Sequence, residues 1–304
     1  CWEKTPLAFA QYTESLIENC TEAQKDLCDK ELYNVINYCG RSLQFGCKYV
    51  HQSMPKMLTT WMDFAEKVHR NRNPSKERVE MVKKMTNIID AYCTRLPTYI
   101  WLTALSQLIS RISHPSRVVQ EQLIKILVKL IIAHPQYCLW MMACVLNSEK
   151  SPATAATTSD SKPISFKDRI WYHKELRSPD IRKTMESFRG LWQKLISFTA
   201  YKIESGVSKL KVSTICKDLP VLLRSPEFGP IMMPTTQFFN LSLPTKNSTQ
   251  ANNLSNDNIS IVGIEEDVLV MASVQKPKRI TLRGSDGRRY IFMCKPADDL
   301  RRDF

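Results

Sequence analysis

Apolar residues in the first half of the sequence recur at three- and four-residue steps, which places them on one face of an α-helix. This spacing predicts helix after helix from the N-terminus to about residue 150. Short breaks that carry proline separate the predicted helices. The clearest apolar faces are formed by Leu27, Leu32, Val35, Ile36 and Cys39; by Met54, Met57, Leu58, Trp61, Met62 and Ala65; by Val79, Val82, Met85, Ile88 and Ile89; and by Trp101, Leu102, Leu105, Leu108, Ile109 and Ile112.

Short connections between such helices imply antiparallel neighbours, as in an α-solenoid. No fixed sequence period accompanies them, so the repeat is predicted at the level of structure alone. Residues 149–163 are rich in Ser, Thr and Ala and predict a flexible linker. A further helical stretch follows from Asp180 to Ile203, and Pro244–Ser260 predicts a polar loop.

The apolar period changes from 3.6 to 2 near the end of the sequence, which predicts β-strands. We expect three strands, at Val268–Val274, Arg279–Arg283 and Arg289–Lys295. The segment Gly284–Gly287 joins the last two, because its glycines can supply the positive φ of a tight hairpin. The predicted fold is therefore mainly α: an α-solenoid followed by an incomplete α+β unit with antiparallel strands.

The formal net charge of +13 raises the question of nucleic-acid binding. The basic residues are spread over the predicted helices among acidic ones, and no block of five or six forms a basic arm. This pattern favours solvated helix faces over a DNA-binding surface.

The ten cysteines are scattered and include no CxxC pair, which favours buried reduced thiols over disulfides or a zinc site. The longest apolar run, Leu123–Ala133, is broken by Lys125 and Lys129 and is shorter than the roughly 20 residues that span a bilayer. A location in the nucleus or cytosol, without a membrane, is expected.

Lys295 closes the apolar face that Ile291 and Met293 form on the last predicted strand. Apolar side chains can cover a nucleotide base while an ammonium group reaches the phosphates. A strand-end lysine is more often a solvated edge residue. An acidic cluster that begins at Asp298 and a hairpin tip that carries Ser273 strengthen the nucleotide hypothesis, because an acid can steady the ammonium and a hydroxyl can contact phosphate.

These stretches resemble the phosphatidylinositol 3-kinase-related protein kinases, and within them the ATR-type checkpoint kinases. Two helical stretches and the strand region carry the resemblance, which covers roughly residues 40–148 and 261–304. The matching segments are Gln52–Thr59, Leu102–Ile112, Pro135–Gln136, Trp140–Met142, Gln275–Ile280, Gly284–Gly287, Met293–Pro296 and Asp298–Arg301.

The resemblance implies a role for each candidate site residue. Lys295 would bind the ATP phosphates, and Asp298 would steady it or face the nucleotide. Met271 and Met293 would line the adenine pocket. The phosphate-loop equivalent would comprise Val270, Met271, Ala272, Ser273, Val274, Gln275 and Lys276, with Ser273 nearest the phosphates.

The family's Asp-Arg-His catalytic loop and Asp-Phe-Gly metal-binding segment do not occur in the 304 residues. We therefore expect a piece of a longer chain that is inactive alone, with no catalytic residue and no metal ligand of its own. Its beginning at Cys1 and its end at Phe304 after a charged run fit that expectation. The resemblance implies these boundaries: residues 1–148, the end of a helical FAT domain; 149–163, the linker; 164–218, connecting helices; and 219–304, the start of the kinase N-lobe.

For the parent protein, the resemblance implies a nuclear Ser/Thr kinase that responds to DNA damage and replication stress. It would use ATP and Mg²⁺, phosphorylate Ser or Thr followed by Gln in proteins, act with an obligate regulatory partner protein and contact DNA indirectly. Two alternatives remain: a non-catalytic helical scaffold, and a lipid-kinase relative, against which Gln52–Thr59 argues.

Overall fold

A computed structural model describes residues 2–18, 25–146, 166–204, 206–235, 243 and 259–295. Most of these residues are helical, and a small antiparallel sheet follows near the end of the chain. The predicted fold class is thus confirmed. The linker predicted at 149–163, most of the polar loop at 244–260, and Asp298 lie outside the described residues.

The first of two compact units contains eight of the described helices. In it, α2 packs on α1, α3 and α4, and α7 packs on α4, α5 and α10. The helices are α1 (Lys4–Glu18), α2 (Lys25–Phe45), α3 (Val50–Arg70), α4 (Lys76–Arg95), α5 (Thr98–Leu102), α6 (Leu105–Ser110), α7 (Arg117–Ala133) and α10 (Phe166–Trp171).

The apolar face predicted for α3 forms the centre of this unit. Met54, Met57, Leu58, Trp61 and Met62 have no exposed surface. The spacing of three and four residues turns all of them toward the neighbouring helices. The buried Trp61 indole N–H donates to the hydroxyl of a threonine on α4, over 3.0 Å, so its polar atom is satisfied.

The second unit combines the remaining helices with the sheet. Its longest helix, α11, packs on α8 and α13. The helical elements are α8 (Pro135–Met141), α9 (Ala143–Leu146), a 3-10 helix (Lys174–Arg177), α11 (Pro179–Ala200), α12 (Val212–Ile215) and α13 (Asp218–Arg224); the strands are β1 (Lys209–Lys211), β2 (Ile261–Ile264), β3 (Asp267–Val270), β4 (Lys278–Gly284) and β5 (Arg289–Cys294).

The central strand of the sheet is β4. It pairs along its length with β5, while β3 pairs with its first residues and β2 with its last. On the far side of β3, the short strand β1 completes the antiparallel sheet. The hairpin predicted at Gly284–Gly287 joins β4 to β5, and Gly287 has the expected positive φ, of 77°.

The strand predicted at Val268–Val274 is too long: β3 ends at Val270. The chain reverses direction over the next residues, and Val274 is fully exposed at the turn. Pro277 has no N–H to donate to a ladder, so the pairing cannot extend through it. Strands β1 and β2 were not predicted from the sequence.

Seven cysteines of the described residues are free thiols, namely Cys28, Cys39, Cys47, Cys93, Cys138, Cys216 and Cys294. Cys39 is completely buried, and burial raises the pKa of its thiol to about 12. No described helix has the length and apolar character needed to cross a membrane.

Candidate functional site

The two faces of the β4–β5 hairpin differ in burial. Ile280 lies opposite Phe292 and faces inward, with 1% of its surface exposed. Ile291 and Met293 belong to the opposite face and are 64% and 51% exposed. Strand alternation therefore leaves the side chains of Ile291 and Met293 open to solvent on a face that they share with Arg279 and Thr281 of β4, and Lys295 continues this face.

The segment Met271–Pro277 forms the turn between β3 and β4. The Met271 N–H donates to the Pro277 carbonyl over 2.9 Å, and the Lys276 N–H donates to the Ser273 carbonyl over 3.0 Å. Lys276 has a φ of 45°, in the left-handed region. The four residues between Met271 and Lys276, namely Ala272, Ser273, Val274 and Gln275, are exposed.

Pairing brings this turn and Lys295 to the same end of the sheet. The first residue of β4, Lys278, lies opposite Cys294, the last residue of β5. It also lies opposite Val270, the last residue of β3. The turn leaves the sheet after Val270 and returns at Lys278, whereas Lys295 directly follows Cys294. The described candidates thus form one cluster, and Asp298 lies outside the described residues.

Lys276 has a different environment from the other residues of the turn. Its ammonium group donates to the carbonyls of Ile203 and Glu204, over 2.9 and 3.0 Å. Both acceptors follow the C-terminal end of α11. Since the ammonium is bound to backbone, the exposed part of the turn is centred on Ser273 and Val274.

The arrangement offers two complementary surfaces for a ligand. Met271, Ile291 and Met293 present apolar area that a flat ring can cover. The Ser273 hydroxyl and the Lys295 ammonium lie at the same sheet end and can approach an anion. The described residues contain no cluster of three or more His, Cys, Asp or Glu side chains that could hold a metal ion.

Lys278, which is not among the site residues predicted from the sequence, is 1% exposed. Its ammonium donates to the Thr199 carbonyl over 2.6 Å. Burial lowers the pKa of Lys278, because the ammonium loses contact with water. Residues of β4 alternate between two faces, and Lys278 shares a face with the apolar residues Ile280 and Leu282. This alternation was the signal in the sequence that could have predicted its burial.

The helical segments Gln52–Thr59 and Leu102–Ile112 contact each other. Gln107 on α6 donates to the Thr59 hydroxyl on α3 over 2.9 Å. Arg111 forms ion pairs with Asp63 and Glu66. These residues therefore join two helices of the first unit rather than bind a ligand.

The segment that begins at Pro135 supports the sheet unit. The side-chain amide of Gln136 donates to the Pro230 carbonyl and accepts from the Met232 N–H over 3.0 Å. The Trp140 indole donates to the Met232 carbonyl over 2.8 Å. Met232 in turn pairs with Ser260, next to β2. The helix α8 is thus connected to the sheet through residues 230–233.

Comparison with known families and proteins agrees with this architecture. Residues 84–159 match the family described as "Serine/threonine-protein kinase ATR-like, HEAT repeats". The chain is 31% identical over 99% of its length to "Serine/threonine-protein kinase ATR" of Drosophila melanogaster, and 28% identical over 93% to "Protein kinase rad3" of Schizosaccharomyces pombe. It spans 12% of the length of each of these curated relatives.

Solved structures show the same fold. "Structure of the open conformation of CtTel1" superposes with a TM-score of 0.66 at 17% identity, covering 92% of this chain and 10% of the other. "FAT and kinase domain of CtTel1" gives 0.62 at 18% identity, covering 92% and 17%. Together with the sequence relatives, these matches confirm the predicted resemblance to ATR-type kinases.

Proposed function

We propose that this chain belongs to the ATR-type family of Ser/Thr protein kinases and supplies part of the ATP-binding lobe of its parent protein. The parent would transfer the γ-phosphate of ATP to Ser or Thr followed by Gln in protein substrates. Residues 1–148 would belong to the helical FAT region, 149–163 to a linker, 164–218 to connecting helices and 219–304 to the kinase N-lobe.

The observation that carries this proposal is the cluster at one end of the sheet. The exposed turn centred on Ser273 would contact the phosphates, and Met271 and Met293 would cover the adenine. Lys295 would bind the phosphates as a compact positive charge. Asp298 would steady that ammonium or face the nucleotide.

Phosphoryl transfer also needs Mg²⁺ ligands and a residue that orients the nucleophile. The sequence contains neither Asp-Arg-His nor Asp-Phe-Gly, and we assign those roles to other parts of the parent. The chain's own contribution is to hold the base and to position the phosphates.

From the resemblance to ATR-type checkpoint kinases, we further propose that the parent acts in the nuclear response to DNA damage and replication stress, with an obligate regulatory partner protein. The relatives named ATR and rad3 support its activity as a protein kinase. Contact with DNA through this chain would be indirect. Several of its basic side chains are occupied by carboxylates, as in the pairs Arg78–Asp29 and Arg182–Glu186. Such pairing reduces the positive charge available to a phosphate backbone.

The test is the substitution of Lys295 by Met or Arg in the full-length parent. Loss of one charge contact to a transferring phosphate costs on the order of 10²- to 10³-fold in rate. We expect phosphorylation of a Ser-Gln peptide to fall by that factor with both variants, because the planar guanidinium of Arg does not reproduce a compact ammonium. Thermal unfolding and partner pull-down should remain close to wild type.

The control is Lys217→Met, which removes an exposed lysine of the same unit. It should leave the rate unchanged. Retained activity in Lys295→Met would show that Lys295 is an ordinary strand-end lysine and would refute its assigned role, whereas no phosphorylation by the wild-type parent would favour the alternative of a non-catalytic helical scaffold. Lost activity together with a collapsed melting temperature would make Lys295 a structural residue instead.

A further inference from the structure

Two lysine side chains from the C-terminal end of the candidate turn reach the end of α11 and the residues that follow it. Lys276 lies in the turn, and Lys278 begins the strand that follows it. Their ammonium groups donate to the carbonyls of Thr199, Ile203 and Glu204. Thr199 belongs to the last turn of α11, whose final carbonyls have no partner within the helix and carry partial negative charge, so they attract cations. Ile203 and Glu204 lie in the segment directly after the helix.

Thr199 contacts both strands that flank the site. Lys278 of β4 donates to its carbonyl over 2.6 Å. Cys294 of β5 lies opposite Lys278 and is a neighbour of the Thr199 side chain. Lys295 is the next residue after Cys294, so one point on α11 contacts the start of β4 and the end of β5 together.

Burial makes the Lys278 contact unusual. A lysine is almost never fully buried unless its charge is compensated, and Lys278 is 1% exposed. Its described hydrogen bond goes to a backbone carbonyl rather than a carboxylate. A methionine would fill similar space without the desolvation cost, so packing alone does not account for an ammonium here.

We propose that Lys278 and Lys276 are positioning residues: they clamp the turn Met271–Pro277 to the C-terminal end of α11, and thereby couple the geometry of the nucleotide site to the placement of that helix. The proposal rests on the function assigned above, since it takes the turn to be the phosphate-contacting segment. The buried Lys278 acts through the turn and does not touch the nucleotide. A loop that is held in its binding conformation loses less freedom when the ligand binds, so such a clamp can set the affinity for ATP.

The test compares Lys278→Met and Lys276→Met with Lys183→Met in the full-length parent. Lys183 is an exposed lysine in the first half of α11, away from the clamp. We expect the KM for ATP to rise about tenfold in both clamp variants, while the KM for a Ser-Gln peptide at saturating ATP changes less than twofold. Lys276→Arg, which retains a cation, should recover most of the ATP affinity.

Hydrogen–deuterium exchange supplies a second readout. The amides of Met271 and Lys276 are bonded within the turn, so their exchange should become faster in both clamp variants and stay unchanged in Lys183→Met. An unchanged KM for ATP with unchanged exchange would overturn the clamp. Equal rises in the KM for ATP and for peptide, with a lower melting temperature, would also overturn it by showing a general structural defect.

The variants separate this proposal from the function on which it rests. If Lys278→Met does not fold, Lys276→Met alone tests the clamp. Lys276 is only half-buried, so its substitution disturbs the core less. An inactive Lys295→Met with unchanged clamp variants refutes the clamp and leaves the assigned function standing. An active Lys295→Met refutes the assigned function, while the exchange of the turn still reports whether the clamp exists.

Discussion

At Gly40, helices α2 and α4 approach so closely that no side chain fits between them. A Cβ atom placed there would lie 2.1 Å from a ring carbon of Tyr92. The Tyr92 hydroxyl donates to the carbonyl and the side-chain oxygen of Asn37, over 3.0 and 2.9 Å, so the ring cannot move aside without losing these bonds. Gly40 is therefore a packing requirement rather than a flexible point.

Gly40→Ala should lower the free energy of unfolding of the 304-residue chain by about 1–3 kcal/mol, as overpacked cores do. The measurement is denaturant-induced unfolding followed by far-ultraviolet circular dichroism. Gly190→Ala, in the interior of α11, is the matched control because its nearest neighbours lie 3.7 Å away. Alanine is a better helix former than glycine at this position, so Gly190→Ala should raise the free energy of unfolding by up to about 1 kcal/mol. Equal effects at the two glycines would contradict this account.

At the scale of elements, the end of α7 is joined to the start of α5 by His134. Its Nε2 lies 2.8 Å from the Thr98 hydroxyl, and its backbone N–H caps α7 by donating to Leu130. Burial lowers the pKa of His134 below its ordinary value of 6.5, because the charged imidazolium is poorly solvated there.

This shift makes the stability of the helical unit depend on pH. Below about pH 6.5 the unfolded chain binds the His134 proton while the folded chain resists it. The free energy of unfolding therefore falls as the pH drops from 6.5 toward the folded-state pKa, and this contribution is constant above 6.5. His134→Gln should remove that part of the pH dependence, whereas His69→Gln, at an exposed position, should keep it. Melting temperatures measured between pH 5 and 8 compare this pH dependence in wild type and the two variants. The same pH dependence in wild type and His134→Gln would refute the role of His134.

The elements differ in how far the sequence predicts them. The buried face of α3 follows from apolar spacing, because its residues at three- and four-residue steps face the same neighbours. The β4–β5 hairpin follows from Gly287, which needs a positive φ. By contrast, β1 is only Lys209–Lys211, and its extended form depends on pairing with β3, more than 50 residues away. No local sequence pattern identifies a pairing strand that lies so far away along the chain.

The features of the candidate site also divide into those that the sequence predicts and those that it does not. Strand alternation is enough to predict that Met293 and Lys295 share a face, and the exposed turn around Ser273 follows from its polar tip. The end of β3 at Val270 and the burial of Lys278 depend on where the end of α11 lies. Both features depend on tertiary contacts, so local propensity and periodicity do not predict them.

At the scale of the whole molecule, the chain consists of two compact units, and the first change from one to the other falls between His134 and Pro135. The helical pattern continues across this point, which is why periodicity alone suggested one helical region up to residue 148. Gln136 and Trp140 bind residues 230–232, and this ties α8 to the unit that contains the sheet.

The 304-residue chain alone should not phosphorylate a Ser-Gln peptide, even though it contains the proposed phosphate-contacting turn and Lys295. Transfer of a phosphoryl group depends on metal ions that bridge the phosphates and on a residue that orients the nucleophile, and removal of both leaves only partial binding of ATP. The sequence has no Asp-Arg-His or Asp-Phe-Gly segment, and the described residues form no metal-binding cluster. The measurement is transfer of radiolabelled phosphate from ATP with Mg²⁺ to the peptide, with the full-length parent as the positive control. ATP-dependent phosphorylation by the purified chain that Lys295→Met abolishes would show that these 304 residues contain a complete catalytic site, and would overturn the division of roles proposed for the parent.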